Sequence, residues 1–189
     1  MTLSANAQTT IIPKLGVSIA NIAFDPSNSD VKSKIGLQLG IAAEIGVNDM
    51  FAIQPELLFI QKGAKSKANS DASLNLSYLE IPVLAKVKFG SDAAKFYAIA
   101  GPSIGIAIGG TDKDASGSED LKFGSDTGQF KRTDFGLQFG AGVNIKNFII
   151  DVRYGLGLSN IINVPSGASG SLKNRAIGIT VGYAFPLGK

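Results

Sequence analysis

Apolar and polar residues alternate strictly along much of this chain. From Ile35 to Ile45 the odd positions read Ile35, Leu37, Leu39, Ile41, Ala43 and Ile45, and the even ones Gly36, Gln38, Gly40, Ala42 and Glu44. From Phe135 the split is Phe135, Leu137, Phe139, Ala141 and Val143 against Gly136, Gln138, Gly140, Gly142 and Asn144. From Phe148 it is Phe148, Ile150, Val152, Tyr154, Leu156 and Leu158 against Asp151, Arg153, Gly155, Gly157 and Ser159. A period of two places successive side chains on opposite faces of a strand, so each strand has one apolar and one polar face. Similar patterns around Leu15 to Ile19, Phe51 to Phe59, Leu79 to Phe89, Tyr97 to Ile108 and Ile177 to Phe185 bring the total to about eight strands. Most run to about ten residues, the length that a tilted strand needs to cross a bilayer.

The connections alternate in length. Gly46 to Asp49, Gly90 to Ala94 and Ile145 to Asn147 are short, whereas Phe24 to Ser33, Lys62 to Ser73, Gly109 to Lys131 and Asn160 to Leu172 are long and polar. Short turns and both termini then gather at one end of the molecule. Membrane β-barrels have this asymmetry, together with aromatic girdles at both interfaces. Phe51, Phe89, Tyr97, Phe148, Tyr183 and Phe185 fall at the short-turn end, and Phe59, Tyr78, Phe135 and Tyr154 form an upper ring. The expected fold is an all-β, eight-stranded antiparallel up-and-down transmembrane β-barrel, with residues 8–189 as its single domain.

Two places interrupt the alternation and predict β-bulges, one near Gly101-Pro102 and one near Leu76 to Ile81. Pro55 and Pro82 have no evident place in a barrel without free edges.

Composition narrows the environment. Charged residues make up only 17% of the 189, and 23 are glycine, whereas soluble domains carry about 25% charge. A soluble lipocalin-like ligand carrier would point its polar face at water, and such a face is normally rich in Thr, Lys, Glu and Ser. Here the polar face is dominated by glycines such as Gly16, Gly40, Gly140, Gly155 and Gly178, which suit a narrow lumen. Ser4-Ala5-Asn6-Ala7 reads as the end of a secretory cleavage site, so residues 1–7 are expected to be a signal-peptide remnant. The expected location is the bacterial outer membrane, termini periplasmic and long loops extracellular.

With no Cys and no His in the chain, thiolate chemistry, disulfides, imidazole bases and the common zinc sites are excluded. The net charge of +3 is modest and gathers in no basic arm, which argues against a nucleic-acid partner. No enzyme activity and no cofactor are expected.

Several segments carry a family likeness: Ile53-Gln54-Pro55-Glu56-Leu57-Leu58, Tyr78-Leu79-Glu80-Ile81-Pro82-Val83-Leu84-Ala85-Lys86, Ala100-Gly101-Pro102, the run from Asp151 to Ile161, and Lys173-Asn174-Arg175. In this the chain, from about Leu15 to Phe185, resembles the PorT-like outer-membrane β-barrel proteins of Bacteroidota. The resemblance implies an outer-membrane address and eight strands, and no reaction. PorT is associated with the export of surface proteinases, so an accessory role in export or a small channel is the alternative to a structural or surface-interaction role.

The inward parity places Glu56, Glu80, Arg153 and Gln138 near mid-height, with Glu44, Lys86, Lys88 and Asp151 below them. Opposite charges in a lumen must pair, since isolated burial costs several kcal/mol. The expectation is a Glu56–Arg153–Glu80 cluster, with Lys86 paired to Asp151 or Glu44, filling the lumen as a plug. Glu56 and Glu80 as a glycosidase pair would have no room for a sugar. In the third long loop, Asp112, Asp114 and Asp120 outline a weak calcium site, but its twelfth position is Phe123 where a bidentate Glu is required. Lys62, Lys65, Lys67, Lys122, Lys131, Arg132, Lys173 and Arg175 lie in or beside the long loops. They are expected to face outer-membrane lipid and the phosphates of lipopolysaccharide, with other envelope or secretion proteins as further partners.

Overall fold

The computed structural model describes residues 9–25, 31–68, 72–91, 93–115, 117–165 and 170–187. The expected signal remnant lies outside them. The strands are β1 (Thr9–Asp25), β2 (Val31–Gly46), β3 (Phe51–Ser66), β4 (Ser73–Gly90), β5 (Lys95–Asp114), β6 (Gly117–Asp120), β7 (Thr133–Ile145), β8 (Phe148–Gly157), β9 (Ser171–Tyr183) and β10 (Phe185–Leu187). Along β1–β5 and β7–β9 each strand pairs antiparallel with the next, β5 pairing with β7, and β1 pairs with both β2 and β9, so these eight strands close into a barrel. β6 folds back as a hairpin on the upper part of β5, and β10 continues the line of β9 along β1.

Closure removes every edge of the barrel wall. It also puts the apolar face outward: Leu15, Ile35, Phe51, Phe89, Phe135, Phe148 and Val181 are all exposed. No soluble carrier displays such a belt. The polar face, with Lys14, Gln38, Glu56, Glu80, Asp151 and Arg153, is buried in the lumen. Extended strands rather than helices do the crossing; no described helix is long and apolar enough to span a membrane.

The three central prolines fit because the ladder lapses on their N–H side. Pro55 falls between the pairs Ala42↔Glu56 and Ile45↔Ile53 of β2–β3. Pro82 lies where β3–β4 pairing skips from Pro55↔Val83 to Leu58↔Glu80, and Pro102 where β4–β5 skips from Pro82↔Ser103 to Ala85↔Ala100. A residue without a backbone donor is thus accommodated in a closed wall.

The bulge expected near Gly101-Pro102 is absent. Register between β5 and β7 runs unbroken from Lys95↔Asn144 to Ile106↔Thr133, and the apparent change of parity arises because Tyr97 and Ile99 point into the lumen. An irregularity does occur beside Leu76 to Ile81, but the extra residue is Ile108 on β5, between Ser77↔Gly109 and Tyr78↔Ala107. A second lies in β2 between Ser33 and Gln38.

The aromatic rings need the same correction. Tyr78 and Tyr97 are buried in the lumen at 0% and 2% exposure, where their hydroxyls find polar partners. Phe96 takes the outward place beside Phe89, ring centroids 6.1 Å apart, and Phe148, Tyr183 and Phe185 continue that ring. Glycine makes room for the inward tyrosine: a Cβ on Gly142 would lie 2.4 Å from the Tyr97 ring. At Gly140 a Cβ would meet the Val152 carbonyl of the next strand at 2.4 Å, so this glycine permits the tight curvature of a small barrel.

Candidate functional site

The lumen is filled in layers. Its middle is held by four charges from three strands: Lys14 on β1, Glu56 on β3, and Asp151 and Arg153 on β8. Arg153 Nη1 donates to Glu56 Oε2 at 2.7 Å and Arg153 Nε to Asp151 Oδ1 at 3.0 Å. Lys14 Nζ donates to Asp151 Oδ2 at 2.5 Å and stands 3.6 Å from Glu56 Oε1. Thr180 and Tyr97 donate to the two oxygens of Asp151, and Gln54 to Glu56. Two cations meet two anions, and both carboxylates also accept from neutral donors. That is the condition under which buried ion pairs offset their desolvation.

Below, Lys86 Nζ donates to Glu44 Oε2 at 2.7 Å and to Gln54 Oε1 at 2.9 Å. Lys88 reaches the other Glu44 oxygen at 2.7 Å. Lys86 also sits 3.9 Å from the centroid of the Tyr97 ring, a cation–π contact. Gln54 therefore joins this lower group to the middle one.

Above, Lys62 Nζ donates to Glu80 Oε1 at 3.2 Å and lies 3.7 Å from Asp134 Oδ2. Asn174 Nδ2 donates to Asp134 and to the Tyr78 hydroxyl. One cation here faces two carboxylates. Asp134 Oδ1 and Asn174 Oδ1 are buried without partners. Between this group and Arg153 is a cavity of about 20 Å³, lined by Gln38, Lys62, Glu80, Gln138 and Arg153 among others. It holds about one water molecule, and buried Gln38 Oε1 has no protein partner.

Apolar layers close both ends, where a purely polar, glycine-rich interior was expected. At the short-turn end Ile12, Leu84, Tyr97, Ile99 and Ile149 pack together. At the loop end Ile22, Ile60, Leu76, Tyr78 and Ile161 do so, covered by Leu121, Phe123 and Phe130 from the long connection after β6. That connection is pinned over the mouth by backbone bonds from Lys131 N to Ile161 O and from Asn163 N to Gln129 O.

The expected cluster is therefore redrawn. Arg153 meets Glu56, near Gln138 at 3.4 Å, but its second carboxylate is Asp151, and Glu80 belongs to Lys62. Lys86 pairs with Glu44 and not with Asp151. Lys62, expected among the loop cations, is a lumen residue at 7% exposure. Lys14 and Asp134 were missed because each lies one residue before the stretch that reads as alternating, which begins at Leu15 and Phe135, although Lys14 is well inside β1. Their parity, shared with Gly16 and Gly136, was the available signal. In the β5–β6 hairpin, Asp112 pairs with Glu119 and Thr111 with Asp120, so Asp112 and Asp114 share one face and Asp120 takes the other. Among the described residues no group of three acidic, His or Cys side chains is gathered for a metal. Lys65, Lys67, Lys122 and Arg132 are exposed and Lys131 half-buried at the loop end, and Lys173 and Arg175 lie on the upper part of β9.

A closed barrel with a lipid-facing apolar belt and a plugged, charge-paired lumen is an integral membrane protein of the outer-membrane class. The chain belongs to the outer membrane protein beta-barrel domain family, whose model matches residues 6–163. Its fold is similar to that of the attachment invasion locus protein Ail of Yersinia pestis, solved in complex with the heparin analogue sucrose octasulfate. That likeness has TM-score 0.51, 16% identity, and covers 95% of this chain and 99% of that one. It is similar to Neisserial surface protein A (TM-score 0.52, 15% identity, 94% and 97% covered) and to OprG from Pseudomonas aeruginosa (TM-score 0.52, 13% identity, 95% and 96% covered). No curated protein matches the chain.

Proposed function

We propose that this outer-membrane barrel is a non-catalytic surface-interaction protein whose lumen is a permanent plug and whose working surface is its loop end. The observation that supports it best is the layered lumen, with charge clusters packed between apolar layers. A conducting path would need water along its length, and the cavity between the middle and upper charge groups has room for about one molecule. The loop end carries most of the exposed charge, including Lys32, Lys65, Lys67, Lys113, Lys122 and Arg132, which suits partners bearing anionic groups. With short turns and termini periplasmic and long loops extracellular, this charge faces out of the cell. The segments shared with PorT-like barrels favour a place in that subgroup.

The chain has no cysteine, so single cysteines report the orientation cleanly. Lys113→Cys at the loop end reacts with a membrane-impermeant maleimide on intact cells, and Lys146→Cys in a short turn reacts only after permeabilisation. The reverse pattern would refute the proposed working surface.

A further inference from the structure

Among the described residues, cations and carboxylates are not distributed evenly around the loop end. On the side built from β5, β6 and the connection to β7, the described cations Lys113, Lys122, Lys131 and Arg132 stand among the carboxylates Asp112, Asp114, Glu119, Asp120 and Asp126. The flank built from β9, β1, β2 and β3 is different. Lys65 shares its face with Phe51, Ile53 and Phe59, because the β3–β4 register is unshifted from Phe51↔Val87 to Lys65↔Ser73. It therefore points outward. Lys32 pairs directly with Lys65 and points outward with it. On β9, Lys173 and Arg175 share the parity of outward Ile177, Ile179 and Val181, opposite Ala23 and Asn21 of β1. The carboxylates of β2 and β3, Glu44 and Glu56, are engaged in the lumen.

Like charges directly opposite each other on neighbouring strands repel and weaken the pairing. The Lys32–Lys65 pair therefore calls for an anion between them. Its height indicates which anion. Ile35, 70% exposed, stands near the top of the apolar belt, and Lys32 lies three residues further up β2. At about 3.3 Å per residue and a tilt near 40°, that is roughly 8 Å, the depth of a lipid headgroup layer. Three strand spacings from β9 to β3 span roughly 14 Å, room for more than one phosphate.

We propose that Lys32, Lys65, Lys173 and Arg175 form a one-sided docking site for a phosphorylated glycolipid of the outer leaflet. Lys32 and Lys65 share one phosphate, and Lys173 and Arg175 take a second. Lysine suits phosphate as a compact point charge, and Arg175 adds a planar fork. The inference rests on the loop end facing the outer leaflet, and it replaces a uniform basic rim by a single flank.

The test uses the full chain folded in phosphatidylcholine vesicles, with bisphosphorylated lipid A, dephosphorylated lipid A and inorganic phosphate as probes. Two quadruple variants remove the same charge: Lys32→Gln, Lys65→Gln, Lys173→Gln and Arg175→Gln on the flank, and Lys113→Gln, Lys122→Gln, Lys131→Gln and Arg132→Gln on the other side. Heat-modifiable migration reports folding of each, and the single Lys65→Gln serves if the flank variant does not fold. Wild type is expected to bind bisphosphorylated lipid A at least tenfold more tightly than the dephosphorylated form. The flank variant should lose about tenfold or more, Lys65→Gln about threefold, and the opposite-side variant less than twofold. Equal loss in both quadruple variants, or none in the flank variant, would overturn the one-sided site. Full displacement by an equal concentration of inorganic phosphate would overturn the lipid as its occupant. None of these results alters the cysteine-labelling pattern, so failure here is separable from failure of the loop-end reading.

Discussion

The middle and upper charge groups of the lumen use the same kinds of side chain to different ends. In the middle, Lys14 and Arg153 face Glu56 and Asp151 in equal number, and both carboxylates accept from neutral partners as well. In the upper group Lys62 serves both Glu80 and Asp134, two buried oxygens of Asp134 and Asn174 remain without protein partners, and Lys62 and Glu80 line a water-sized cavity. A saturated, balanced group fixes which strands face each other across the barrel. An unbalanced one tolerates change, because a water or a proton can complete it.

This contrast is open to attack by substitution. Arg153→Met leaves Glu56 and Asp151 with Lys14 as their only cation, and removing one partner of such a group costs about 3–5 kcal/mol. The expected loss is of that size, read as a lower urea midpoint for unfolding in vesicles. Lys62→Met strips the cation from the upper group, but the cavity lets water reach Glu80, so about 1–3 kcal/mol is expected. A loss equal to that of Arg153→Met would abolish the distinction. Asp134→Asn removes the surplus negative charge and keeps the shape; its effect should be within about 1 kcal/mol of zero. The smallest change belongs to Arg132→Gln, which loses the contact with the Phe123 ring at 5.7 Å. That contact is worth about 0.5–1 kcal/mol at an exposed site.

The barrel was legible because lipid imposes one rule on every strand: the outward residue is apolar. That rule located the strands, the turns and the inward charges Glu44, Glu56, Glu80, Lys86, Asp151 and Arg153. It said nothing about which charge meets which. Lys14 and Asp151 are 137 residues apart in the chain and meet because β1 and β8 face one lumen. Such partners follow from the stagger of the closed sheet, which alternation does not encode. Tyr78 and Tyr97 misled for a related reason: tyrosine is at home in a girdle and in a lumen, and only the strand's parity decides. The apolar layers were hidden similarly. Ile12, Ile22, Leu84 and Ile149 sit on inward positions at the strand ends, where an apolar residue reads from sequence as belonging to the belt.

The plugged lumen is the central claim, and single-channel recording in planar bilayers tests it most directly. The account predicts no steady conductance above that of the bare bilayer for the folded wild-type protein, with discrete openings appearing only when the middle group is broken, as in Arg153→Ala. Stable openings in the wild type, unchanged by Arg153→Ala, would contradict it.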